Sequence, residues 1–221
     1  MQSSLEVAWQ PAPASTAPAS VRPTNHARSL FHFSSAALAL ASVALLPSRG
    51  WLLAIAIAFA GYCWSMEIAR RLSPAINDRL MRFYGPIAHA HERYRVNSAT
   101  WYATALVALA LFGTKPAMMA ALAVLGVADP IAGLVGRRWG RRKLRAGRSL
   151  EGTLAFLVSG TLAAALALVL AGVHHPGAVL AFAALAGLTG AVAELVSTRL
   201  DDNLTIPVTV GAMVTAASLL G

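Results

Sequence analysis

Seven apolar segments, separated by connections that carry nearly all the charge, constrain this chain more than any other feature. They lie at about 30–46, 51–67, 98–112, 116–136, 152–171, 177–197 and 204–220. A helix that crosses a bilayer needs about 20 mostly apolar residues. Most of these runs approach that length, and none contains the polar alternation of a half-buried strand. Charged residues make up only 12% of the chain, about half the usual share in a soluble domain. The expected fold class is therefore all-α: a polytopic membrane protein of about seven transmembrane helices.

Charge tests the count. With the N-terminus on the cytoplasmic side, the tail and the second, fourth and sixth connections hold 16 of the 18 Lys and Arg residues, and only Arg49 and Lys115 fall on the other face. No acidic residue lies in the odd connections or at the C-terminus. Such a partition follows the positive-inside rule, and six or eight spans would scramble it. The expected location is an integral, multi-pass protein of a bacterial inner membrane. The net charge of +9 does not argue for nucleic acid. The cations cluster between apolar segments, where they serve topology and headgroup contact.

Residues 1–27 hold Pro11, Pro13, Pro18 and Pro23 among Ala and Ser, with few large aliphatics. They are expected to form a disordered tail, and they lack the cationic start and apolar run of a secretory signal. The remaining domain is 28–221. In the long second connection, Pro74 opens and Gly85-Pro86 closes a stretch whose Ile76, Leu80, Phe83 and Tyr84 share a helix face. This predicts a short helix lying in the membrane interface. The single cysteine, Cys63, can form no internal disulfide.

The polar residues that can carry chemistry all lie on the basic side. Asp129 interrupts an apolar run, where a charge is costly and functional by default; standing before Pro130, it also suits a helix cap. Gly133, Gly136 and Gly140 suit either close helix packing or backbone approach to phosphate. The pattern of a P-loop is absent. The loop Arg137–Arg148 is a stop-transfer signal, in which Lys143 and Arg148 are also placed to grip phosphate. Ser149 suits a cap for the next helix, with Glu151 in its first turn. Glu194, Ser197, Thr198 and Asp201 share a helix face, and Asp201-Asp202-Asn203 offers hard oxygen ligands of the kind Mg²⁺ takes. Glu194 lies within an apolar run and needs an arginine or a metal as partner. His32 reads as structural, and Glu92, between His91 and Arg93, as a salt-bridged loop residue. Together, carboxylates and cations on one side of a bilayer suit a site for a metal, a nucleotide and a lipid.

At these residues the chain resembles the polyprenol kinase family, which includes phytol kinase, dolichol kinase and the CTP-dependent diacylglycerol kinase. The matching pieces are Ala128-Asp129-Pro130-Ile131-Ala132 with Val135-Gly136-Arg137, Gly140 and Lys143, then Arg148-Ser149-Leu150-Glu151-Gly152-Thr153, and Asp202-Asn203-Leu204-Thr205-Ile206-Pro207. Fainter matches are Arg28 with His32, and Glu92 ahead of Trp101-Tyr102. The chain departs from the family at Ala128, usually Gly; at Arg148, usually Lys; and at Ser29, usually Lys. The resemblance implies transfer of the γ-phosphoryl group of CTP to an isoprenoid or lipid alcohol. It implies Mg²⁺ on Asp129, Asp202 and Glu151. Gly136, Gly140, Lys143, Arg148 and Ser149 would hold the nucleotide, and Glu194 or Glu92 would take the acceptor's proton. The phosphatidate cytidylyltransferases have a related Asp–Gly–Lys–Ser–Glu-Gly arrangement and also use CTP, but their C-terminal His-Gly-Gly signature is absent. A transporter built on inverted repeats is the other alternative.

Overall fold

The structure is a computed structural model and describes residues 26–84, 95–197 and 200–220. These form α1 (His26–Leu45), α2 (Arg49–Leu72), α3 (Pro74–Tyr84), α4 (Ser98–Phe112), α5 (Lys115–Ala123), α6 (Asp129–Trp139), α7 (Leu150–Leu170), α8 (Pro176–Val196) and α9 (Asp202–Leu220). A π-helical turn, Val124–Ala128, joins α5 to α6. The described residues contain no strand, so the all-helical expectation holds. The expected tail lies outside them, except that α1 already begins at His26.

Every expected apolar segment falls on a helix. Five helical stretches are long and apolar enough to cross a membrane: Arg49–Leu72, Lys115–Trp139, Leu150–Leu170, Pro176–Val196 and Asp202–Leu220. Ser29–Leu45 and Ser98–Phe112 are apolar but shorter. On α7, Leu154, Val158, Leu162 and Leu166 form an exposed stripe at intervals of four. A water-soluble protein rarely leaves such a patch bare; facing lipid, it costs nothing. The interior is built from small residues. Ala103, Ala105, Ala117, Ala120, Ala121, Ala164 and Ala186 are fully buried, as expected where helices associate by close approach rather than by exclusion from water.

Local sequence sets the helix starts. Asn97 accepts from the Ala99 amide at 2.7 Å, Thr114 from Ala117 at 3.4 Å, Ser149 from Gly152 at 3.1 Å and Asp201 from Asn203 at 3.0 Å. Each side chain satisfies an amide that the helix cannot. Gly172, at φ +91°, turns the chain out of α7 in a conformation that side chains other than glycine's resist. The short helix over 74–84 forms as expected. It packs beside α2 and turns Leu80, Met81 and Tyr84 inward while Phe83 faces out.

Packing around α8 gives a direct test. A Cβ added at Gly187 would lie 2.1 Å from Thr161 Oγ1, 2.9 Å from Thr161 N and 3.0 Å from Leu157 O. Two of those atoms are backbone and cannot rotate away. Gly61 has nothing within 4 Å. Gly187→Ala should therefore destabilise the fold by about 1–3 kcal/mol, the usual cost of overpacking. Gly61→Ala should be neutral or mildly stabilising, because alanine suits a helix interior better. Thermal midpoints of the two purified variants in detergent measure the contrast.

Candidate functional site

The start of α1, the end of α2, α3, the start of α4, the loop after α6, the start of α7, the end of α8 and the start of α9 all meet at one end of the bundle. Arg148 is the centre of this end. Its Nη1 lies 2.6 Å from Glu194 Oε1, and its Nη2 lies 3.3 Å from Asp202 Oδ2. Asp129 adds a third negative charge that acts on the same guanidinium. Burial alone would lower the Arg148 pKa; Glu194, Asp202 and Asp129 more than offset it and hold it above its ordinary value. Three carboxylates from α6, α8 and α9 thus converge on one cation from the loop before α7.

Glu194 is 3% exposed, and its Oε2 is buried with no hydrogen-bond partner among the described residues. Thr153 Oγ1, one turn beyond the Ser149 cap, is likewise buried and unpartnered. Buried polar atoms are nearly always satisfied, so two orphans at the same end mark a place that lacks a partner.

Asp129 does not cap a helix. Its backbone is α-helical (φ −63°, ψ −49°) and α5, the π turn and α6 run on without a break. Pro130 explains the π turn. Its ring lacks an N–H and would crowd the carbonyl of Gly126 in a regular α-helix; the wider turn just before it relieves that conflict. The π turn also presents the Leu125 carbonyl, which lies 3.2 Å from His32 Nε2. That contact ties α1 to the π turn.

The other expected site residues are placed as follows. Glu151 stands apart from the Arg148 cluster: its Oε2 accepts from the Arg141 amide at 3.1 Å and from the Arg142 amide at 3.4 Å, ordering the basic loop. Lys143 pairs across that loop with Ser149 through a single antiparallel bridge. Ser149 is the buried cap of α7. Gly136 and Gly140 make room for it: a Cβ at Gly140 would lie 2.5 Å from Ser149 Oγ and 2.2 Å from Gly136 O. Both positions therefore carry a packing demand. Glu92, Thr198 and Arg199 lie outside the described residues.

Among the described residues no group of three or more His, Cys, Asp and Glu side chains is arranged to hold a metal. Mg²⁺, however, commonly takes only one or two protein carboxylates, with phosphate oxygens and water completing its shell. Asp129 and Asp202 are oxygen donors of that kind, and the three carboxylates outnumber the single guanidinium. The unpartnered Glu194 Oε2 adds to the same excess of acceptors. The residues present therefore fit a hard cation shared with phosphate, not a closed protein cage.

A second constellation was missed in the sequence. Glu67 and Arg70, at the end of α2, are 2% and 8% exposed. They form a two-pronged pair, Nη2 to Oε1 at 2.8 Å and Nε to Oε2 at 2.9 Å. Arg71 adds a further contact to Glu67 Oε1 at 3.0 Å, and the Asn97 amide donates to Oε2 at 3.4 Å. Arg70 also donates to Asn77 Oδ1 at 3.1 Å and to the Arg95 carbonyl. The pair ties α2 to α3 and to the start of α4. Its signal was available: Glu67 stands three and four residues before two arginines.

Beside this pair opens a cavity of about 490 Å³. It runs between α1, α2, α4 and α5, lined mostly by Leu, Ala, Phe and Met side chains. Its charged and amide lining is at the site end, at His32, Glu67, Arg70, Asn97, Ser98 and Asn203, and Ser35 and Ser42 add hydroxyls along α1. Ser98 donates to Asp201 Oδ2 at 2.9 Å. Asn203 donates to Asp201 Oδ1 at 2.7 Å and to Asp202 Oδ1 at 3.5 Å. The cavity and the Arg148 cluster are therefore joined by a continuous run of hydrogen bonds. Burial first, and then the neighbouring Asp202 charge, push the Asp201 carboxyl above the usual range.

No family model, curated protein or solved structure matches this chain.

Proposed function

We propose that this protein is a CTP-dependent kinase that phosphorylates a lipid alcohol, isoprenoid or similar, at the cytoplasmic face of the membrane. In this reading seven helices span the bilayer, α3 lies in the interface, and the N-terminus is cytoplasmic. The observation that carries the proposal is the convergence of Asp129, Glu194 and Asp202 on Arg148, linked through Asn203 to the polar end of an apolar cavity. Charged groups that handle phosphate are thereby adjacent to a space that accepts a hydrocarbon tail.

Phosphoryl transfer asks little covalent chemistry of a protein; positioning and charge stabilisation do most of it. Bound Mg²⁺ would neutralise phosphate charge and draw electron density from the transferred group. Asp129 and Asp202 would hold it. Arg148, whose planar guanidinium suits phosphate oxygens, and Lys143 would orient the triphosphate. The acceptor oxygen forms a bond to the γ-phosphorus as the bond from that phosphorus to the β,γ-bridging oxygen breaks. CDP leaves, and the hydroxyl proton passes to a carboxylate. Glu194 suits that role through its unpartnered Oε2; Glu92 is the alternative.

The test uses membranes containing the full chain, with CTP labelled at either the γ or the α phosphate and a long-chain alcohol. A kinase places only the γ label on the lipid. Transfer of the α label, with phosphatidate as acceptor, would replace the reading with cytidylyl transfer. Absence of both, with no Mg²⁺-dependent protection by CTP, would remove the enzyme reading.

A further inference from the structure

We propose that α3 is a lid over the charged end of the cavity. It is hinged at Ser73 and latched by Asn77 on Arg70, and it opens to admit water and water-borne polar groups from the aqueous side. This role rests on the packing of α3 and stands whether or not the protein is a kinase.

α3 forms the cavity wall next to the charged end. Asn77, Leu80, Met81 and Tyr84 follow the spacing of one helix face. Leu80, Met81 and Tyr84 line the cavity together with Glu67 and Arg70 of α2, while Arg79 and Phe83 are exposed. Yet α3 is weakly held. None of its 11 residues is buried, whereas α2 buries Cys63, Glu67 and Arg70, and α4 buries Thr100, Tyr102 and Ala103. Its principal packing partner is α2. A helix this short is marginal by itself, so its order comes from docking, and few buried contacts make local opening easy.

The latch can release without stranding a charge. Arg70 Nη1 donates to Asn77 Oδ1 at 3.1 Å. When Asn77 leaves, Glu67 keeps its bonds from Arg70 Nε and Nη2, so the buried pair stays matched and acts as a fixed post. Tyr84 adds a hydroxyl contact to Tyr62 of α2. Ser73 is the single residue between α2 and α3, with φ −135° and ψ 112°. Pro74 confines it to extended backbone, so the bend persists while ψ keeps about 40° of play. α3 has 11 residues and is about 16 Å long, so a turn of about 30° moves its far end by about 8 Å. That takes Tyr84 off the cavity. The apolar face that leaves the cavity is accepted by the bilayer interface, as other amphipathic helices are.

The chain supplies its own probe. Its single cysteine, Cys63, lines the cavity one helical turn from Glu67. Full-length protein in lipid nanodiscs is exposed to a quaternary-ammonium methanethiosulfonate, and modification of Cys63 is followed by intact mass. The fixed charge bars the reagent from hydrocarbon, so it reaches Cys63 past α3. Asn77→Leu keeps the side-chain volume and removes the acceptor. It should raise the rate at Cys63 at least fivefold, with hydrogen exchange in α7 and α8 unchanged. In the parent protein, amides of residues 78–81 should exchange at least tenfold faster than those of residues 66–69, at the same end of the bundle. This second measurement needs no variant and decides the matter if Asn77→Leu loosens the whole fold. A rate at Cys63 that Asn77→Leu leaves unmoved, or α3 amides as slow as those of α2, would overturn the lid.

Discussion

Arg148→Ala should produce the largest loss of stability among changes at the site. It leaves the buried Glu194 with both carboxylate oxygens unpaired, beside the charge of Asp202. Removing one member of a buried ion pair typically costs 3–5 kcal/mol. Because Arg148 and Asp202 retain 28% and 27% side-chain exposure, the expected cost is smaller, about 2–4 kcal/mol after allowance for solvent screening. The thermal midpoint of the purified chain in detergent should fall by roughly 5–15 °C. γ-Label transfer should fall at least a hundredfold, since the same guanidinium is assigned to phosphate. Arg148→Lys keeps the charge and loses the planar fork, so stability should return further than activity. Adding Glu194→Gln to Arg148→Ala should restore part of the lost stability, because the cost comes from an uncompensated charge. An Arg148→Ala protein as stable as the parent would show that the guanidinium does not hold the three carboxylates together.

The sequence was legible where local chemistry decides the outcome. Apolar runs located the long helices, and Pro74 with Gly85-Pro86 bracketed α3. Ser149 was recognisable as a cap because its side chain competes for amides only three residues away. Asp129 and Glu194 stood out because a carboxylate in an apolar run requires an explanation. What stayed hidden depends on how helices splay and bulge. No periodicity reveals that α1 and α2 separate, so the cavity could not be read in advance. Asp129 suits a cap because it precedes Pro130, but the π turn accommodates that proline and the helix continues through it. In the sequence Glu67 closes the second apolar run. The extra turn of α2, through Leu72, is what brings Arg70 back over it. Gly136 and Gly140 could serve either phosphate approach or packing on sequence grounds. Contact with Ser149 shows a packing demand that only the folded loop imposes.

Asp129→Asn separates function from architecture most cleanly. The substitution keeps the size of the side chain and removes its charge. Asp129 caps no helix, so none of the roughly 1 kcal/mol attached to a lost cap is expected. Its principal effect on the fold is electrostatic: one of three carboxylates that act on Arg148 becomes neutral, which eases their mutual repulsion and removes one attraction to the guanidinium, two changes of opposite sign. Stability and membrane insertion should be unchanged, or stability slightly raised. Catalysis should respond in the opposite direction. If Asp129 helps hold the cation that neutralises the triphosphate, its loss removes stabilisation of charge in the transition state. Single electrostatic contributions of that kind are commonly worth 10²–10³ in rate. The Mg²⁺ concentration for half-maximal γ-label transfer should rise along with the fall in rate, a readout that a packing defect would not move. Asp202→Asn should behave similarly on Mg²⁺ and also weaken its contact with Arg148. A folded Asp129→Asn protein that transfers label at the parental rate and Mg²⁺ dependence would take Asp129 out of the reaction. The cation would then have to be held by Asp202 with Glu194.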